Sequence, residues 1–170
     1  MRPLPSAPSK AAPIASDATR ETLVARVRAM SGRTVLVVGD VILDRYLWGR
    51  ATRVSPEAPV LVVDVEKDEL RLGGAANVAH NVRSLGATPV LCGMLGEDTP
   101  AADCARLLAE REVDPVTGIV RDGRRRTTLK TRIIAHQQQV LRADEECRDP
   151  VQGDVREALW QRIEAALPRA

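Results

Sequence analysis

Leu72-Gly73-Gly74-Ala75-Ala76-Asn77-Val78-Ala79-His80-Asn81 sets a glycine pair against an alanine-rich helical pattern that ends near Gly86. Adjacent glycines permit positive φ and close approach of another group to the backbone. A helix that starts behind them aims unpaired N–H groups and the positive end of its dipole at the turn. Asn77, about one turn in, adds an amide that both donates and accepts, which suits hydroxyl groups better than a bare anion. Taken alone, a glycine pair is more often just a tight loop before a packed helix, so the neighbouring sequence decides its meaning.

Upstream, Thr34–Val38 is a continuous aliphatic run of strand length, as expected of a strand buried on both faces. Gly39-Asp40 follows at its carboxyl end, where open α/β sheets bind ligands, and Asp44 lies four residues on. Residues 45–65 predict two extended segments joined by the loop Ser55-Pro56-Glu57-Ala58-Pro59. Before these, Leu23, Val24, Val27 and Met30 recur at helical spacing. Downstream, residues 89–95 predict a second apolar strand and 100–112 a helix with proline in its first turn. A short strand over 116–120 and two extended segments at 127–134 and 139–143 come next, with His136-Gln137 at a hairpin turn. Residues 154–167 close the chain as an amphipathic helix with Val155, Leu159, Ile163 and Ala166 on one face behind an Asp154 N-cap. Alternating strands and helices predict an α/β fold with a parallel sheet.

Composition narrows the function. With 25 basic and 23 acidic residues the net charge is +2, too balanced for an electrostatic footprint on nucleic acid or membrane. Aromatic residues are 2% and Phe is absent, so base-stacking platforms are not expected and the core must be aliphatic. The one basic cluster, Arg124-Arg125-Arg126, is expected to be a solvated loop. Cys92, Cys104 and Cys147 are widely spaced and odd in number, which predicts no disulfide framework or zinc site and fits a reducing cytoplasm. Residues 1–20, rich in Pro, Ala and Ser without an apolar core, are expected to be a disordered leader. His80 and His136 lack partners at metal-ligand spacing.

Two groups of residues could carry chemistry. Asp40 and Asp44 with Gly73, Gly74 and Asn77 suit a polyol, since carboxylates accept from paired hydroxyls and an amide does both. Lys130 and Arg132 alternate on one strand face, followed by Gln138, Gln139, Arg142 and Asp144. Two cations so placed point the same way and fit either a phosphate or a salt-bridged solvent face. Neither a P-loop nor a G-x-G-x-x-G dinucleotide fingerprint is present.

The run Gly73-Gly74-Ala75-Ala76-Asn77-Val78-Ala79, with Gly86 and Gly96 at their spacings, resembles the amino-terminal signature of the ribokinase-like, or PfkB, carbohydrate kinases. Within that family, residues 38–46, 53–60 and 138–144 are similar to kinases of D-glycero-β-D-manno-heptose 7-phosphate, which serve ADP-heptose and lipopolysaccharide core synthesis. The resemblance covers about residues 34–147. It implies a ribokinase-like Rossmann-type parallel sheet with helices on both faces plus a small β-sheet lid, truncated, with residues 45–65 and 127–143 as lid strands that pair across a homodimer. It also implies that Asp44 holds sugar hydroxyls, that Gly73, Gly74 and Asn77 line the sugar pocket, and that Lys130 and Arg132 reach the substrate phosphate. Residues 148–170 are then a linker and helix.

The resemblance also implies ATP and Mg2+ as cofactors of an intact enzyme. The family's catalytic base, the Asp of a Gly-Ala-Gly-Asp motif, and its Asn-x-x-Glu motif have no counterpart among these 170 residues. The base is therefore expected beyond residue 170, neither ATP nor metal is expected to bind well here, and the chain alone is expected to be inactive unless a complementing carboxyl-terminal half joins it. A non-catalytic sugar-phosphate-binding or dimerisation module, and a fragment of another PfkB-family sugar kinase, are the alternatives.

Overall fold

In the computed structural model, residues 20–170 are described; the leader expected over 1–20 lies outside them except for Arg20, which opens helix α1 (Arg20–Arg28). None of the α1 residues is buried, and Met30 just beyond it is the first side chain to reach the core.

Strands β1 (Thr34–Val38), β4 (Thr88–Leu95) and β5 (Ile119–Arg121) form a parallel sheet in the order β1-β4-β5. The intervening helices α2 (Gly74–Ser84) and α3 (Thr99–Glu110) lie on one face, where Ala76, Ala79, Cys104 and Leu108 pack with Val37, Leu91 and Leu95. Small alanines, Ala76 and Ala79 fully buried, let α2 sit close to the sheet in a core without Phe. Helix α4 (Gly153–Ala166) covers part of the other face, where Leu159, Ile163 and Ala166 meet Leu36, Val90 and Cys92. Its cap differs from expectation: Gln152 holds the N-cap position without a side-chain bond, and Asp154 pairs instead with Arg124 at 2.9 Å. Outside this cover Val38 is half exposed on β1, which has no strand on its outer side among the described residues.

β5 is shorter than the 116–120 run predicts. Asp114 accepts hydrogen bonds from the Val116 and Thr117 amides, at 2.8 and 3.3 Å, and that turn keeps the preceding residues out of the sheet. In the basic cluster Arg124 and Arg126 are exposed, as expected of a solvated loop, but Arg125 is not. Arg125 donates to the carbonyls of Cys147 and Asp149 at 3.1 and 2.7 Å and so ties the loop to the segment before α4.

A second sheet stands on the first. Its order is β3-β2-β6-β7, from β2 (Val41–Val54), β3 (Leu61–Gly73), β6 (Thr128–Ala135) and β7 (Gln138–Glu145). β2 and β3 outrun the predicted 45–65 segments at both ends, and the charged run 66–71 is strand because Leu70 and Leu72 alternate inward. β2 pairs antiparallel with β3 and parallel with β6, and β6 turns into β7 through His136 and Gln137 at φ 51° and 65°, the positive angles of a two-residue hairpin. Leu43, Leu70, Leu72 and Leu129 root one face of this sheet in the main core. The other face carries Asp44, Tyr46 and Trp48 opposite Lys130 and Arg132.

Asp98 joins the two sheets. Its carboxylate caps α3 by accepting from the Ala101 amide at 3.0 Å and accepts from the Thr127 amide at 2.8 Å, while buried Thr127 Oγ1 accepts from the Gly96 amide at 2.9 Å. Burial pushes the Asp98 carboxyl up, but the bonds from Thr127 and Ala101 outweigh it and leave it below its ordinary value. A depressed carboxyl contributes stability in full above its unfolded value and loses that contribution as pH falls through the folded value. The melting temperature should therefore drop on acidification below about pH 4, the unfolded aspartate range. Asp98→Ala should cost about 2 kcal/mol, from the lost cap and the unsatisfied Thr127 amide, and should flatten that acid limb in thermal melts.

Candidate functional site

The glycine pair lies where the two sheets meet. β3 ends at Gly73 and α2 starts at Gly74, whose φ of 53° turns the chain from one to the other. The Ala75 amide then donates to the Asp40 carbonyl at 2.9 Å, closing the carboxyl end of β1 against the first turn of α2. A Cβ at Gly74 would overlap that carbonyl oxygen, and one at Gly73 would lie 2.6 Å from Asp44 Oδ2. The glycines thus make room for Asp44 and for the β1–α2 junction. Asn77 is exposed on the same helix, with no side-chain hydrogen bond among the described residues.

Asp44 is the hub on the lid side. It accepts from Arg132 Nη1 at 2.5 Å across β2 and β6, with side chains 17% and 21% exposed, and this bond holds the Arg132 guanidinium above its ordinary value. Lys130, one step nearer the root, stands 3.6 Å from Asp144 and 3.7 Å from Glu146. Arg142 donates to Asp144 at 2.9 Å; burial pushes Asp144 up, yet Arg142 and Lys130 keep it below its ordinary value. Asp40 and Lys130 line a cleft of about 400 Å³ with Gly96, Thr128 and Glu146, between the end of β1 and the lid root.

Asp40, Asp44, Gly73, Gly74, Lys130, Arg132 and Arg142 thus gather around the lid root, with Asn77 one helical turn from the glycines. Gln138 does not join them. It pairs with Ala135 at the far end of the lid, and a bulge at Val140 of β7 puts it on the opposite face from Arg132. Two residues without a role in the sequence reading belong to the group. Tyr46 carries Arg71 and Arg132 over its ring, 4.9 and 5.2 Å from the centroid, and Trp48 stacks on Tyr46 with centroids 6.2 Å apart. The signal was the spacing Asp44, Tyr46, Trp48, which puts all three on one strand face.

This arrangement can hold a polar, hydroxylated and anionic small molecule. Asp44 accepts from hydroxyls, the α2 amino end and Asn77 offer donors, and the arginines meet an anion. Among the described residues no group of three or more His, Cys, Asp or Glu could hold a metal ion, and no helix is long and apolar enough to cross a membrane.

The model of the pfkB family carbohydrate kinases matches residues 33–166. The chain is 50% identical over 127 residues to the Bifunctional protein HldE of Helicobacter acinonychis, covering 75% of this chain and 27% of that protein. It is 46% identical over 149 residues to the protein of the same name from Paramagnetospirillum magneticum, covering 87% of this chain and 30% of the other. It therefore spans about a third or less of the length of these relatives. Among solved structures, Arabidopsis thaliana ribokinase complexed with ribose and ATP superposes with a TM-score of 0.52 at 17% identity, over 69% of this chain and 36% of that one. The Methanocaldococcus jannaschii nucleoside kinase does so with a TM-score of 0.52 at 18% identity, over 68% and 38%. At these identities the likeness is one of fold, and the fold is ribokinase-like.

Proposed function

Since the chain belongs to the pfkB family of carbohydrate kinases, we propose that residues 20–170 are the sugar-phosphate-binding part of an ATP-dependent kinase for D-glycero-β-D-manno-heptose 7-phosphate. In the intact enzyme the γ-phosphoryl group passes to the anomeric hydroxyl, a step of ADP-heptose and lipopolysaccharide core synthesis in the cytoplasm. The observation that carries this reading is the Asp44–Arg132 pair beside Gly73, which joins a hydroxyl acceptor to a phosphate-binding guanidinium at the lid root. On this reading Asp44, Asn77 and the backbone at Gly73 and Gly74 take the sugar ring, Asp40 faces its reacting end, and Lys130, Arg132 and Arg142 face the 7-phosphate. Gln138, at the lid tip, is left for contacts outside this pocket.

The described residues do not by themselves complete a site for the family's Mg2+: no group of three or more His, Cys, Asp or Glu among them is placed to hold an ion, and no Gly-Ala-Gly-Asp base occurs in these 170 residues. Residues 1–170 alone are accordingly inferred to bind without transferring phosphoryl groups, and a complementing carboxyl-terminal half is the partner that would supply transfer. The lid's outer face, with Val65 and Leu141 half exposed, suits a homodimer formed through lid strands. A non-catalytic binding module is the second reading; it predicts that no added polypeptide restores turnover.

Calorimetry with heptose 7-phosphate, fructose 6-phosphate and ribose tests the assignment. Heptose 7-phosphate should bind at least tenfold tighter than the other two, a difference of about 1.4 kcal/mol. Tighter binding of ribose would overturn it.

A further inference from the structure

Tyr46 has an arginine on each side, and neither comes from its own strand. Arg71 reaches it from β3 and Arg132 from β6, both within cation–π distance of the one ring. Two guanidiniums converging on one point repel each other unless something between them is negative, and the face of an aromatic ring is. The bonding of each arginine is also incomplete. Arg132 gives Nη1 to Asp44 and the Lys130 carbonyl, and Arg71 gives Nε and Nη2 to a single oxygen, Oε1 of Glu69. Glu69 is shared with Lys67 at 2.8 Å, so one carboxylate faces two cations there. Lys130, by contrast, already lies between Asp144 and Glu146.

We propose that Tyr46 is a positioning residue whose ring holds Arg71 and Arg132 as a two-armed fork for the phosphate of the bound sugar. This rests on the sugar-phosphate reading above and adds Arg71 to it. A phosphate dianion at the open edge of the ring, in reach of both arms, takes the guanidinium N–H groups that Asp44 and Glu69 leave over, and Asp44 stays with the hydroxyls. The ring, not the phenol, performs this role, so phenylalanine should replace tyrosine and an aliphatic residue should not. Arg71 is the more exposed arm, and its guanidinium is held above its ordinary value by Glu69.

The test follows the side-chain Nε–H signals of Arg71 and Arg132 by NMR while inorganic phosphate is added to the chain. Both signals should shift together in the wild type and in Tyr46→Phe, and in Tyr46→Leu the midpoint should rise about tenfold. Calorimetry then compares heptose 7-phosphate with unphosphorylated heptose. Tyr46→Leu and Arg71→Gln should each weaken the phosphorylated sugar about tenfold and leave the other unchanged. A merely structural role would weaken both sugars alike. Should Tyr46→Leu not fold, Arg71→Gln and Tyr46→Phe still decide the matter. The proposal is overturned if Arg71 does not respond to phosphate in the wild type, if Tyr46→Phe loses as much as Tyr46→Leu, or if both sugars weaken equally. If both arginines respond to phosphate but no sugar phosphate binds, the fork stands and the sugar reading fails; sugar phosphate binding without an Arg71 response gives the reverse.

Discussion

Gly74→Ala is expected to cost about 3 kcal/mol of folding stability and to abolish sugar binding, whereas Gly153→Ala should cost only about 1 kcal/mol. Both glycines have positive φ, 53° and 60°, so both substitutions incur the same backbone strain. Their surroundings differ. A Cβ at Gly153 meets nothing within 4 Å, while one at Gly74 overlaps the Asp40 carbonyl oxygen and lies 3.0 Å from two carbons of Ile42. The backbone oxygen cannot swing aside as a side chain would, so the Ala75–Asp40 hydrogen bond must break and the β1–α2 junction must open. Urea denaturation of the two variants isolates the clash from the strain. Equal losses for both would show that the junction yields, and with it the claim that Gly74 sets the site.

Asp44→Ala should weaken heptose 7-phosphate binding about 100-fold, the upper part of what a hydrogen bond to a charged group contributes. It removes the hydroxyl acceptor and leaves Arg132, only 21% exposed, without its carboxylate. Two effects are therefore superimposed, and a double-mutant cycle separates them. Arg132→Ala alone should also weaken binding, and Asp44→Ala/Arg132→Ala should be more stable to heat than the sum of the single losses, since no unpaired charge remains. Additive losses in the melts would mean that the pair is not coupled. Gly73→Ala is the companion variant: its φ is unstrained at −119°, but its methyl would stand 2.6 Å from Asp44 Oδ2. It should lower affinity and, by displacing Asp44 from Arg132, lower the melting temperature too, though by less than Gly74→Ala because side chains rather than a backbone oxygen must give way.

The parts of this architecture carried by local pattern were legible in the sequence. The aliphatic run of β1, the alanine stripe of α2 and the face of α4 with Val155, Leu159, Ile163 and Ala166 each declare their period within a few residues. The lid was harder because its pairing is long-range. Asp44 and Arg132 meet only because β2 and β6 align in parallel, and nothing in either segment encodes that register. Charge also masked strand: the predicted extended segments stop at 65 because Glu66 to Arg71 is charged, yet Leu70 and Leu72 face the core. Gln138 and Arg142 look equivalent in sequence, yet one extra residue in β7 puts them on opposite faces. Tyr46 stood within a recognisable motif, but a role that depends on arginines from two other strands leaves no local trace.

The geometry of β2 has a mechanical consequence. Its 14 residues span roughly 45 Å at about 3.3 Å per residue, and only the first few, from Val41 to Leu43, are anchored in the core. The strand is a lever with its fulcrum beside Asp40 and Asp44. A tilt of about 5° at the root carries the far end through roughly 4 Å, given that length. Small rearrangements around a ligand at the glycine pair would thereby be amplified along the lid, most at Val54 and less at the His136-Gln137 turn, which lies beside Gly49 to Ala51. A fluorescent label on Gln137 would register occupancy of a pocket that it never touches.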